Sequence, residues 1–361
     1  MRNASRPSVC FVSSVSFVAL VSFVSSVSLA LVICAPAVAR AQATDTIGVR
    51  ASGMGGAFTA VADDATATWW NPAGLAGGAY FNALIEDGSH REPGSDRDAA
   101  GAPQAAWRSG TRAMAVAFPA LGLSYYRLRV SEIQPLFSTG TTAAVREDGG
   151  AVPVRLRSLV LNQFGATVGQ SLGEHLVVGS TIKLVTAGAA TVVQAAGTGS
   201  LDEADRLEAS GETHAGLDVG AMATFGRARV GLMIRNVRQP EFGDGVDAFT
   251  LGRHARAGVA WSSGTRGVIG SATIAVDADL TKTATALGDE RRVAAGVETW
   301  MPTQSLGVRA GISANTIGSR RTSFSGGLSA AVRKGMYIDG EATGGSDEGR
   351  RGWGIALRVT F

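Results

Sequence analysis

The sequence predicts an all-β fold, a transmembrane antiparallel β-barrel of about 14 strands with an N-terminal hatch or plug segment inside. Three observations support this prediction. The chain holds 48 glycines but only 6% aromatic residues, a composition typical of short strands joined by turns. Apolar and polar residues alternate in segments of about ten residues, the length that crosses a bilayer at a tilt. Long and short connections alternate between these segments, as they do in outer-membrane barrels.

The first 41 residues predict a cleaved signal peptide. Two arginines form a short positive region, an apolar run interrupted by serines follows over residues 9–36, and Ala37–Ala43 offers small-residue cleavage sites. The length of the apolar run leaves an uncleaved anchor helix as the alternative. The bulky residue before Cys34 argues against a lipoprotein signal.

Cleavage would change both the redox chemistry and the charge of the chain. Cys10 and Cys34 both lie in the signal segment, so the mature protein would have no disulfide and no cysteine-ligated metal. The number of basic residues would fall from 33 to 30, against 30 acidic residues. A nearly neutral protein has no electrostatic support for nucleic-acid binding, and we expect no nucleic-acid partner.

Alternation with period two is the main signal after residue 79, as where Ile182 and Leu184 flank Lys183. It is the pattern of a strand with one apolar face. The long connections carry much of the charge, including His90–Glu92 and Asp202–Arg206. The predicted strands are 79–87, 110–118, 121–132, 157–170, 175–187, 213–225, 228–238, 252–262, 267–282, 290–300, 305–315, 321–332, 336–343 and 352–361.

The last strand carries the pattern to the final residue. Every second residue from Trp353 to Phe361 is apolar, so one face suits lipid and the other a wet lumen. Backbone groups in hydrocarbon must be paired within the protein, and this strand should therefore close against the first. A terminal phenylalanine on such a strand resembles the signal read by the barrel-assembly machinery. The residues of this signal are Trp353, Ile355, Leu357, Val359 and Phe361.

The stretch between the signal peptide and the strands has a different character. We divide the chain into signal peptide (1–41), hatch or plug (42–78) and barrel (79–361). Gly53–Gly56 lacks the preceding strand and the glycine spacing of a dinucleotide loop, and we interpret it as a turn that lets the chain pack closely. Ala57–Thr68 is compatible with a short helix.

The end of the hatch combines acidic residues with a short polar and aromatic motif. Adjacent carboxylates on a helix point apart, so we interpret Asp63 and Asp64 as ion-pairing rather than acid–base residues. Asn71 and Pro72 suit the cap and first position of a helical turn, or alternatively a simple turn. The hatch residues that could gate a ligand are Asp63, Asp64, Trp70, Asn71, Pro72 and Ala73.

Charged residues on the strands are expected to face the lumen, because charge is costly on the lipid face. The four histidines show no metal-ligand spacing, and no catalytic arrangement or cofactor site is predicted. Several aromatic residues near strand ends suit interfacial girdles or, alternatively, scattered packing; they are Trp107, Tyr125, Tyr126, Trp261, Trp300 and Trp353. The lumenal polar candidates are Lys183, His214, Asp218, Asp277, Asp279 and Glu298.

Several motifs together resemble a known family. Gly48–Phe58, Val61–Ala65 and Trp70–Leu75 are similar to the start of FadL-type outer-membrane barrels and their PorV/PorQ-type relatives. Gly216–Ala221 with Gly231–Val237 resembles the middle of the PorV-type branch. The resemblance implies a 14-stranded barrel whose N-terminal segment folds inside as a hatch, in the outer membrane of a bacterium.

Two functions follow from the resemblance. FadL-type members pass long-chain fatty acids or aromatic hydrocarbons, bind them near the hatch and release them sideways through a gap in the wall. A non-enzymatic, passive transporter of hydrophobic small molecules is therefore the first expectation. The alternative is a PorV-like component that binds secreted proteins. The expected partners are the outer-membrane bilayer, a hydrophobic ligand and the barrel-assembly machinery, with secreted proteins in the alternative.

Overall fold

The protein is described by a computed structural model. It describes residues 47–92, 105–136, 153–194, 199–263, 270–285, 287–318, 320–345 and 350–361. The predicted signal peptide, both cysteines and the first residues of the predicted hatch lie outside this part of the chain. Within it, no helix is long and apolar enough to cross a membrane.

Fourteen strands form a closed antiparallel barrel, as predicted. The ring closes where β1 pairs with β18, from Asn82 opposite Thr360 to Arg91 opposite Arg351. The barrel strands are β1 Asn82–Glu92, β2 Ala106–Phe118, β3 Leu121–Pro135, β4 Val154–Leu172, β5 Leu176–Gln194, β6 Glu212–Phe225, β7 Ala228–Arg235, β10 His254–Ser262, β11 Ser271–Asp279, β14 Arg292–Trp300, β15 Leu306–Asn315, β16 Thr322–Arg333, β17 Met336–Gly345 and β18 Arg351–Thr360.

The first five strands extend further toward the long connections than the alternation predicted, whereas β7, β10 and β11 are shorter than predicted. β4 and β5 are 19 residues each. β1 extends to Glu92 and so includes residues 88–92, which were expected to lie in the first long loop. His90 and Glu92 are buried side chains on the inner face of β1. The loop prediction was wrong there because charged residues inside a barrel can pair across the lumen and need no loop.

The outer face of the barrel is apolar, as expected for a wall in contact with lipid. Ile182, Phe324 and Leu328 are more than half exposed. On the last strand Trp353, Ile355 and Leu357 also face outward and are 46–52% exposed.

The aromatic girdle was predicted with only partial success. Trp261, Tyr125 and Trp353 point outward and are 40–50% exposed. Trp107 and Tyr126 are instead buried on the inner face. Trp300 also belongs to the interior, with its ring in an edge contact with Tyr337 and near Arg309. Whether a side chain faces inward or outward depends on whether its position along the strand is odd or even. An aromatic residue near a strand end can therefore face either side.

The segment from Ile47 to Gly78 contains three short helices. They are α1 (Val49–Gly53), α2 (Ala67–Trp70) and a 3₁₀ helix (Pro72–Gly77). The predicted cap is confirmed, since the Asn71 side chain accepts from the Ala73 N–H at the start of the 3₁₀ helix. The predicted helix over Ala57–Thr68 is wrong for all but its end: residues 57–66 form turns, a bend and irregular chain, and α2 begins only at Ala67. Backbone N–H groups of this stretch donate to carboxylates instead, those of Phe58 and Thr59 to Asp277 of the wall and that of Thr66 to Asp64.

Among the described residues, four short strands and one α-helix lie in the connections between barrel strands. β8 (Glu241–Phe242) and β9 (Phe249–Thr250) form a hairpin after β7, and β12 (Thr283–Thr285) pairs with β13 (Gly288–Glu290). Helix α3 (Leu201–Asp205) follows β5 and carries a capping box between Ser200 and Glu203. It packs against outward residues of β2 to β4, including Ala106, Ile133 and Leu156.

A charge placed on the outer wall tests the assignment of the lipid face. Leu328→Arg should destabilise the lipid-embedded barrel by about 2–4 kcal/mol, and Thr303→Arg in an exposed short turn by about 0–1 kcal/mol. Denaturant unfolding in lipid vesicles, followed by tryptophan fluorescence, measures both. Equal free energies of unfolding for the two variants would contradict the assignment.

Candidate functional site

The N-terminal segment touches the inner face of the barrel on several sides. It contacts Glu86 on β1, Tyr126 on β3, Asp277 on β11, Glu298 on β14 and Ser325 on β16. A chain that meets inward side chains of strands around a closed ring must lie within that ring. This placement makes residues 47–78 the centre of the candidate site.

Arg50 is the centre of an ion cluster between the segment and the wall. Its guanidinium lies 2.5 Å from Asp63 and 3.2 Å from Asp64, and its opposite edge lies 2.5 Å from Glu298. Burial by itself lowers the pKa of Arg50, but Asp63, Glu298 and Asp64 outweigh it and hold that pKa well above its ordinary value. The arginine therefore stays charged, and it explains why two adjacent acids can occupy this stretch.

The cluster continues along the wall as a chain of alternating charges. Glu298 also accepts a hydrogen bond from Arg309 at 2.7 Å. Arg309 lies 3.3 Å from Asp339, which Arg358 contacts at 2.8 Å. These side chains lie on four strands between β14 and β18 and are buried. Each charge has an opposite neighbour, which offsets the cost of removing it from water.

Two wall carboxylates hold the backbone of the segment directly. Glu86 accepts from the N–H groups of Gly48 and Val49 at 2.7 and 3.1 Å. Asp277 accepts from those of Phe58 and Thr59 at 3.0 and 2.8 Å. Such charge-assisted bonds are stronger than neutral ones, and they use N–H groups that no regular helix satisfies.

Asn71, Pro72 and Ala73 lie where the segment meets β5 and β6. The Asn71 amide donates to Thr59 O at 2.9 Å, within the segment, and to Ala221 O at 3.1 Å, on the wall. A Cβ at Gly220 would overlap the Asn71 side chain. The close approach of the motif to the wall therefore requires glycine at this position.

Glycines also line the contact at the other end of the segment. Gly53 approaches Gly327 so closely that an added Cβ would lie 3.3 Å from its Cα. Gly55 has a φ of +69° and lies against the backbone of Ile312. Met54 lies against Gly296 in the same way. The Gly-Met-Gly-Gly motif thus has a packing role between backbones.

Aromatic rings fill the middle of the segment. The Trp70 indole donates to Ile47 O at 2.6 Å and packs edge-on against Phe58. Trp69 meets Tyr126 of the wall at a ring distance of 5.3 Å. All of these rings are buried.

The other lumenal candidates pair on the wall. Lys183 lies 2.8 Å from Asp218 and donates to Asn236 at 2.8 Å. Asp279 lies 3.1 Å from His254 and 3.2 Å from Arg256. His214 differs from these buried groups, because its side chain is 44% exposed.

An apolar part of the inner wall lies on β3 to β5, and the sequence analysis missed it. Leu159, Leu161 and Val185 are buried there, in one core cluster with the β8–β9 hairpin. Phe242 and Phe249 of the hairpin stack at 5.2 Å. Polar inward residues were expected on these strands. The sequence signal for this apolar surface is an unbroken apolar run of three residues in β4 (159–161).

Two buried donors border this apolar surface. Trp69 Nε1 and Gln163 Nε2 have no hydrogen-bond partner among the described residues. Both adjoin Tyr126, since Gln163 is its partner across the β3–β4 ladder. An apolar surface with a few polar groups is the usual make-up of a small-molecule site.

The wall shows no gap beside this surface within the described residues. The β1–β2, β2–β3 and β3–β4 ladders run without a register shift. The sideways gap that the resemblance implies is therefore absent from these three ladders. The β6–β7 ladder is shorter and ends at Val219 opposite Ile234.

The final strand is closed against the first at its end. Phe361 N donates to Phe81 O at 2.9 Å, and the two rings stack. Trp353, Ile355, Leu357 and Phe361 are exposed on the outside, while Val359 is half-buried.

Removal of Arg50 tests the ion cluster. Arg50→Gln leaves Asp64 buried without a cation and Glu298 with Arg309 alone, a change that costs about 3–5 kcal/mol. The segment should become sensitive to protease while the barrel keeps its heat-modifiable mobility on gels. Lys282→Gln, which breaks an exposed ion pair, is the control and should change neither property; equal protease resistance of both variants would refute the role of the cluster.

Replacement of a wall glycine tests the contact at Asn71. Gly220→Ala should displace Asn71 and destabilise the protein by about 1–3 kcal/mol, measured by denaturant unfolding. At Gly340 a new Cβ meets no atom within 4 Å, so Gly340→Ala is the matched control. The contact is disproved if the two variants unfold alike.

Comparison with solved structures shows the fold. A Pseudomonas aeruginosa FadL homologue superposes with a TM-score of 0.54 at 11% identity, over 88% of this chain and 98% of its own. The CymD monoaromatic hydrocarbon channel gives 0.56 at 14%, over 89% and 99%. The P. putida toluene transporter TodX gives 0.52 at 14%, over 87% and 98%. The chain therefore has the fold of FadL-family channels.

Sequence comparison gives one family match. The family described as F plasmid transfer operon, TraF, protein matches residues 98–279, which is half of the chain. A comparison with curated proteins found no match.

Proposed function

This chain belongs to the family of F plasmid transfer operon TraF proteins, and we propose that it is a passive channel for hydrophobic small molecules in a bacterial outer membrane. The observation that carries the proposal is the apolar inner wall between the N-terminal segment and the β8–β9 hairpin. The compared structures that share this fold over nearly their whole length include channels for toluene and other monoaromatic hydrocarbons. No enzymatic step belongs to the proposal.

The inner wall supplies the binding energy for an apolar ligand. Leu159, Leu161 and Val185 would bury part of the ligand surface, at about 25 cal/mol per Å² of apolar area. Trp69 and Gln163 offer hydrogen-bond donors at the edge of this surface. A ligand with an apolar body and at most one acceptor group therefore fits better than a charged or highly polar solute.

The hairpin is the element best suited to admit the ligand. β8 and β9 pair through only two residue pairs, Glu241 with Thr250 and Phe242 with Phe249, and the tip residue Val246 is 74% exposed. The N-terminal segment is held by the Arg50 cluster and by two wall carboxylates. Opening at the hairpin thus breaks fewer strong contacts than release of the segment.

Uptake measurements test this proposal. Phe242→Ala with Phe249→Ala should speed uptake of labelled toluene and palmitate by cells that lack their own hydrophobic channels, because the stacked rings that pack with the apolar wall are removed. Val246→Ala at the exposed tip is the control. Uptake no faster with the native protein than without it would reject the channel function.

A second measurement distinguishes the channel function from the PorV-like alternative. Gentle solubilisation followed by mass spectrometry should recover the barrel with a hydrophobic small molecule. Recovery with exported proteins that share a C-terminal domain would instead favour the secretion role, which none of the compared channels suggests.

We also propose that residues 1–41 are removed on export and that the barrel-assembly machinery reads the strand from Trp353 to Phe361. The small residues at Ala37–Ala43 and the outward apolar side chains of that strand support these steps. The mass of the purified mature chain tests the cleavage: a mass that includes residues 1–41 would contradict it.

A further inference from the structure

The outer wall carries charged side chains at one place on three neighbouring strands. Asp87, Arg112 and Arg127 lie in one row across β1, β2 and β3. All three are exposed, and the Arg112 side chain is 75% accessible. Charge on the lipid-facing wall is costly, so this row needs a physical explanation that the proposed channel does not provide.

The row has an excess of positive charge. Arg112 pairs with Asp87 at 3.1 Å. Arg127 stands directly opposite Arg112 in the β2–β3 ladder, and like charges in that position repel. Among the described residues, no hydrogen bond or ion pair to the Arg127 side chain is present. The two guanidinium groups together would accept one anion between them.

An apolar concavity lies beside this charge. It has a volume of about 720 Å³, and Ile85, Met114, Ile338, Ile355 and Leu357 are among its lining residues together with the row. These apolar side chains all point outward from the barrel. The concavity therefore lies on the membrane side of the wall and suits an acyl chain rather than a lumenal solute.

The row marks the end of the apolar outer face on these three strands, on the side of the long connections. On β3 the outer face is apolar over 121–125, from the short turn up to the row. Beyond the row, helix α3 covers the outer wall, with Arg108 bound to Asp202 and Asp205. That hydrogen bond from Arg108 lowers the pKa of the exposed Asp202 carboxyl.

We propose that Arg112 and Arg127 bind the phosphate of one lipid molecule in the membrane leaflet on the side of the long connections. The phosphate lies between the two guanidinium groups, where arginine forms strong charge-assisted bonds with it. An acyl chain of the same lipid lies in the concavity against Met114 and Ile355. The partner is thus a phosphorylated membrane lipid.

Native mass spectrometry with defined lipids tests this site. The intact mature protein in detergent is titrated with diphosphorylated lipid A, with its dephosphorylated form and with inorganic phosphate. Arg127→Gln removes the cation that has no described carboxylate partner, and Arg112→Gln with Arg127→Gln removes both. The control, Arg333→Gln with Lys334→Gln, removes two positive charges at a short turn of β16.

Native protein and control should retain lipid A equally, and the double variant should bind it about tenfold more weakly. Arg127→Gln should fall between them. Equal affinity for the dephosphorylated lipid, or equal binding by the double variant, would overturn the proposal. Displacement of lipid A by millimolar inorganic phosphate would also overturn it, because the site would then hold phosphate alone. Heat-modifiable mobility on gels confirms that every variant tested is folded.

Discussion

The need to pair every backbone N–H and C=O group within the membrane governs this structure. A sheet in hydrocarbon can have no free edge, so β18 must meet β1, and the ladder between them runs from one end of the strands to the other. Closure creates an interior that does not contact lipid. Charged residues excluded from the lipid face must be placed in that interior, and there they require partners.

The N-terminal segment supplies many of those partners. Arg50 neutralises Glu298 on the wall and two acids of the segment itself. Glu86 accepts from backbone N–H groups of the segment, and Asp277 accepts both from such groups and from Arg256 of the wall. The wall charges and the segment therefore depend on each other. Without the segment, Glu86 would lose both backbone donors and Glu298 would keep only Arg309. Without the wall, short helices such as α1 and α2 would have too few internal bonds to persist.

Local patterns predicted the strands because the evidence for each strand is local. Alternation with period two identifies a strand and its outward face, and all fourteen strands followed from it. Contacts inside the lumen depend on closure: Arg50 and Glu298 are 248 residues apart. The cap at Asn71 was predictable from its neighbours, whereas the irregular path of Ala57–Thr68 is set by Asp277 and other distant groups. The inward positions of His90, Trp107 and Tyr126 likewise required the register of the ring.

Residues 47–78 lie inside the barrel and are held there by wall carboxylates. Hydrogen–deuterium exchange of the lipid-embedded protein measures this directly. The amides of Gly48, Val49, Phe58 and Thr59 should exchange as slowly as those of the barrel strands, because each is buried and bonded to Glu86 or Asp277. Exchange of these four amides within seconds, while the strands stay protected, would contradict the account.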